Sequence, residues 1–155
     1  MKTKQKNKKW WIWLIVAYYI YLILRNSMMV ARVSEAASYK VTYMFVNHIQ
    51  HFGLSVSNFN LFHHYIRKLA HFTEFAGLGF LVVIAIRICP LFKSRFLNLI
   101  IFLLGVPAMD EGLQHFVEGR SGEVFDMLID GGGFLFGGLF AYIIVLIILD
   151  LRKKK

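Results

Sequence analysis

One cysteine, two prolines and nine acidic residues in 155 positions set narrow bounds on this chain. The lone Cys89 excludes an internal disulfide and a multi-thiolate metal site, and reads as packing near one end of an apolar run. The two prolines, Pro90 and Pro107, fall just after one apolar run and near the end of another. Internal repeats are absent, and only the lysine-rich ends are of low complexity. Against the nine acids stand 18 lysines and arginines, a net charge of +9. Those cations sit in short clusters beside apolar runs rather than on a soluble basic face, so no nucleic-acid partner is expected.

Apolar side chains fill what charge leaves. They make up 57% of the chain, among them 15 Phe, seven Tyr and three Trp. Mean hydropathy is +0.56, which points to a bilayer as the solvent and to one membrane domain over residues 1–155.

Four spans are expected, at about residues 10–27, 69–88, 96–111 and 127–149. The first follows the leader MKTKQKNKK and is read as a retained anchor, because the small residues of Ser34–Ser38 lie too far beyond it for signal cleavage. Five leader lysines, three cations from Arg87 to Arg95 and the tail from Arg152 then share one side. The positive-inside rule makes that side cytoplasmic, with both termini on it and the protein a multi-pass component of a plasma membrane. In the first outer segment Val41, Met44, Phe45, Ile49 and Phe52 recur at helical spacing. The expected fold is therefore an all-α membrane protein: a four-transmembrane-helix bundle with an amphipathic helix in its first extracytoplasmic segment.

Six of the nine acids crowd into DEGLQHFVEGRSGEVFDMLID, Asp110 to Asp130. Asp110 and Gln114, and likewise Glu111 and His115, stand four residues apart on helix stripes. GRSG is read as a turn, with Ser121 a helix cap and Glu123, Asp126 and Asp130 on one face of the span that follows. At the start of the second span, Arg67, His71 and Glu74 share a face by their spacing of four and three. A carboxylate as deep as Glu74 must be paired, wetted or protonated, and a structural ion pair with Arg67 or Arg120 is weighed against a direct role in chemistry. Both groups of polar residues end at the same membrane face.

Each feature also has a plainer reading. Arg67, Lys68 and Arg120 serve equally as interfacial anchors, and Asp126 as a partner of its helix N-terminus. The histidines at 48, 51, 63 and 64 are read as surface or packing residues. Gly133 and Gly137 within GGGFLFGG form a close-packing face, not a phosphate loop, which would need a lysine and a strand. No cofactor is expected. A divalent metal on His71, Glu74, Glu111, His115 and Asp126 is weighed against the absence of an HExxH pattern.

The pattern R-K-x-x-H-F-x-E-F from Arg67, joined to D-E-x-x-Q-x-F-x-x-G-R-S-G-x-x-x-D-x-x-x-D-x-x-G from Asp110, closely resembles the VanZ-like proteins over about residues 10–149. Glu118 departs from it, standing where proline is common. The family takes its name from a protein associated with resistance to teicoplanin, a lipoglycopeptide acting on cell-wall precursors. The resemblance implies a small bacterial envelope membrane protein, without a settled activity.

Two functions are open, beside a blander reading in which the polar cluster is only a structural clasp. In the first, an outer-face groove binds a lipid-linked or anionic envelope ligand and affects glycopeptide susceptibility. Its contacts are Arg67, Lys68, Asp110, Gln114, Arg120, Ser121, Asp126 and Asp130, and its partners are membrane lipids or a lipid-linked precursor. In the second, a membrane enzyme does acid–base chemistry on such a precursor or a phospholipid. There Glu74 or Glu111 acts as acid or base, His71 shuttles protons and Arg120 holds a phosphate.

Overall fold

The computed structural model describes residues 9–53, 55–120 and 124–154. The leader up to Lys8, and the expected cap Ser121 with Glu123, lie outside them. Among the described residues there are five helices: α1 (Ile12–Ser27), α2 (Ala31–His51), α3 (Phe59–Ile88), α4 (Arg95–Gln114) and α5 (Val124–Lys153). No strand occurs among them.

Helices α3, α4 and α5 are each long and apolar enough to cross a membrane. Only 22% of the most apolar stretch of α5 is buried against protein. The rest, including Leu135, Phe136, Leu139 and Phe140, needs lipid as its solvent. The first expected span differs. Helix α1 has 16 residues, about 24 Å at the usual rise, and the chain then bends by 103° into α2. The pair makes at most one further span, so the bundle holds three or four.

Contacts at both ends fix the relative directions. Trp13 Nε1 donates to the Cys89 carbonyl at 2.7 Å, and Trp13 stacks on Phe102, so α1 starts where α3 ends and α4 starts. Arg87 lies 5.0 Å over the Tyr142 ring and ties the same end to the later half of α5. At the opposite end the Ser27 hydroxyl donates to Asp110, joining the end of α1 to that of α4. The arrangement is up-down-up-down, with Lys9, the Arg87–Arg95 cluster and Arg152 at one end.

Small residues set the closest approach. A side chain at Gly133 would overlap the Phe72 carbonyl, one at Gly137 the Ala76 carbonyl, and one at Gly79 the Phe134 carbonyl. Helices α3 and α5 thus meet backbone to backbone, as the GGGFLFGG pattern leads one to expect. Around this seam lie Phe75, Leu78, Val82 and Phe134, all essentially without exposed surface. Buried Asn98 staples the turn between α3 and α4. Its Oδ1 accepts from the Leu91 and Phe92 amides (3.0 and 3.1 Å), and its Nδ2 donates to the Phe92 and Ser94 carbonyls (2.8 and 2.6 Å).

Helix α3 begins ten residues before the expected start at residue 69, capped by the Asn58 side chain on the Leu61 amide (3.1 Å). That extension packs against α2: His63 is buried, stacks on Tyr39 and shares a hydrogen bond of 2.8 Å with Ser38 Oγ. It is a packing histidine, as expected. On α2 itself Thr42 and Val46 face the protein, while Val41, Met44 and Phe45, and Phe52 just after the helix, are exposed.

Candidate functional site

The polar end of the bundle is assembled from four elements. Helix α1 brings Asn26 and Ser27, and α3 brings Arg67, Lys68, His71 and Glu74 one turn after another. The last turn of α4 brings Asp110, Glu111 and Gln114. Asp126 and Asp130 stand in the first turns of α5. The loop after α4 adds Arg120. Gly119 precedes it with φ +78°, and a side chain there would also press on the Ala31 Cβ, so glycine is required twice over.

Asp110 and Asp130 have no exposed surface, and Glu111 and Gln114 almost none. Asp110 accepts from the Ser27 hydroxyl and from Gln114 Nε2 (2.9 Å). Gln114 Nε2 also reaches Glu111 Oε1 at 3.2 Å. Lys68 pairs with Asp126, both side chains being mostly buried. His71 Nδ1 stands 3.7 Å from Asp130 Oδ1.

The arginine partner weighed for Glu74 is corrected here. Its Oε1 accepts from Asn26 Nδ2 at 3.1 Å. Arg67 instead approaches Glu35 of α2 at 4.0 Å, and Arg120 Nη1 donates to the Ser27 carbonyl at 3.0 Å. The reason is geometric: Asn26 sits on the α1 turn facing Glu74, and Arg120 lies where α1 leaves its last carbonyls unpaired. Burial, and then the Arg67 guanidinium, lower the Arg120 pKa, while Asp110, Glu111 and Glu74 raise it. A guanidinium keeps its charge under such shifts.

Two cavities open into this cluster. One, of about 120 Å³, is lined by His64, Arg67, Lys68, His71 and Arg120, with Gln114, Gly119 and Asp126 completing its wall. The second, of about 310 Å³, places His71, Glu74, Arg67 and Arg120 beside Met29, Val41, Ile66 and Ala70. His71, Arg67 and Arg120 wall both. Of the expected site residues, Asp110, Glu111 and Asp130 line neither of these cavities and are buried. His115, the C-cap of α4, is exposed. The structure therefore corrects the metal-ligand set weighed above: His71, Asp110 and Asp130 come together, rather than His71 with Glu74, Glu111, His115 and Asp126.

Asn26, Ser27 and Glu35 were not singled out by the sequence, and His64, read there as a surface or packing residue, lines the smaller cavity. The signal for the first two was present: two polar residues closing an apolar run beside Arg25.

The chain belongs to the VanZ/LLP1 family, whose family model matches residues 10–148. No curated protein and no solved structure matches it.

Proposed function

We propose that this VanZ-family membrane protein binds the phosphate-bearing head of an envelope lipid or lipid-linked cell-wall precursor at the polar end of its bundle. One observation carries the reading. Arg67 and Arg120 wall both a small polar cavity and a larger one whose far side is apolar. Two guanidiniums at a polar–apolar boundary suit an anionic head on a lipid tail. Lys68 and His64 add positive or donor groups to the smaller cavity, and Asp126 fixes Lys68 in place.

The three basic clusters lie at the opposite end of the bundle, so the positive-inside rule turns this cavity outward, with both termini cytoplasmic. An outward site is where cell-wall precursors are exposed to glycopeptides, and sequestering them there would alter susceptibility to such antibiotics. Exposed Val41, Met44 and Phe45 on α2 suit a helix lying in the interface beside the cavity mouth.

A second reading is an enzyme acting on the same class of lipid. It is favoured by His71, which lines one cavity together with Glu74 and stands 3.7 Å from Asp130. Incubating purified protein with a radiolabelled undecaprenyl-phosphate-linked precursor separates the two. Saturable binding with the label recovered unchanged supports the binding reading, and a new labelled product establishes the enzyme. Neither binding nor product would sink both.

A further inference from the structure

Asp130 is out of place by ordinary energetics. It has no exposed surface, it sits within the second turn of α5, and neither carboxylate oxygen receives a hydrogen bond. Burying such a group uncompensated costs several kcal/mol, about what breaking a buried ion pair costs. The imidazole of His71 faces it at 3.7 Å, beyond hydrogen-bond reach. From the third side comes Asp110, equally buried. One ligand atom from each of the three lies within 4.8 Å of the others.

We propose that His71, Asp110 and Asp130 form a divalent-cation site of the zinc or manganese type, one ligand from each of α3, α4 and α5. One imidazole nitrogen and two carboxylate oxygens are a donor set such ions favour over the softer, thiolate-seeking ones. Ligand atoms around an ion of this kind are roughly 3 Å apart, so side-chain rotation without backbone movement closes the set. The supporting contacts are those a ligating carboxylate needs. The Ser27 hydroxyl and Gln114 Nε2 hold one oxygen each of Asp110, leaving a lone pair on both. Two carboxylates and a neutral imidazole balance a dication, which supplies the partner Asp130 otherwise lacks. The glycine seam between Phe72 and Gly133 fixes the register that sets Asp130 against His71. The site shares only His71 with the lining of the cationic cavity and does not depend on what that cavity holds.

The test is a cobalt titration of the full chain, freed of any affinity tag and of metal, in detergent. Visible d–d absorption saturating at roughly one ion per chain, and displaced by zinc, is expected. Asp130→Asn, Asp110→Asn and His71→Ala should each weaken binding at least ~10-fold, the lower bound for disturbing such a shell. His48→Ala with His51→Ala should leave it unchanged. Loss of binding in Asp130→Asn counts only with retained helical circular dichroism, and melting without metal should occur at or above the wild-type temperature because a buried charge is gone. A wild-type chain that takes up no cobalt, or an Asp130→Asn chain that binds it as tightly as wild type, would overturn the proposal.

Discussion

Arg120, from the loop after α4, places its guanidinium on the carbonyl of Ser27, the last residue of α1, at 3.0 Å. A cation there meets the negative end of a helix just where the chain turns by 103° into α2. The same residue walls both cavities, so the corner of the fold and the candidate site share one side chain.

Arg120→Gln is expected to have two separable effects. Loss of the bond to Ser27 lowers stability by about 1–2 kcal/mol, read as a lower melting temperature in detergent. Loss of the charge weakens binding of a phosphate-headed lipid by roughly tenfold or more. Arg120→Lys keeps a charge without the planar fork and should recover part of the binding.

The glycine seam makes opposite predictions for two glycines. Gly137→Ala drives a methyl into the Ala76 carbonyl and should cost about 3 kcal/mol through helix separation. Gly105→Ala, on α4, meets nothing within 4 Å and should gain about 0.5–1 kcal/mol. Thermal melts of both chains check the pair; equal effects would contradict the backbone-to-backbone contact of α3 and α5.

Asn98 offers a graded test of the α3–α4 turn. Asn98→Ala removes the side-chain partner of the Leu91 and Phe92 amides and of the Phe92 carbonyl, while the Ser94 carbonyl keeps the Asn98 amide, and is expected to cost about 3 kcal/mol. Asn98→Asp keeps the acceptor for Leu91 and Phe92 and should fall between the two in melting temperature.

How much of this was legible beforehand depended on what each feature rests on. Helices α3, α4 and α5 announce themselves as apolar runs, because a bilayer demands them. The first ten residues of α3, FNLFHHYIRK, do not, since their helix is held by Tyr39 and Ser38 on α2 rather than by lipid. Residue spacing placed Arg67, His71 and Glu74 on one face, and all three line the larger cavity. It could not find the partner of Glu74. Asn26 is 48 positions away, and its approach follows from the packing of α1 on α3, eased by Gly77 where Tyr19 crosses. Charge arithmetic favoured an arginine instead. The meeting of His71 with Asp130 was likewise hidden, because the spacing of Gly133 and Gly137 announces a close-packing face but not which α3 carbonyls it meets.

Orientation is checked through Cys89, partly exposed at the end of α3 beside Arg87 and Lys93. A membrane-impermeant thiol reagent should leave it unlabelled in intact cells and label it after permeabilisation. Labelling of intact cells would turn the candidate site toward the cytoplasm.

The binding of an anionic lipid head by Arg67 and Arg120 is tested most directly by native mass spectrometry of the full chain with equal amounts of undecaprenyl phosphate and a zwitterionic phosphatidylcholine. The account predicts that wild type retains undecaprenyl phosphate in preference to phosphatidylcholine, and that Arg67→Gln with Arg120→Gln abolishes the preference while the protein stays helical. Equal retention of both lipids by wild type, or a preference that survives the double substitution, would contradict it.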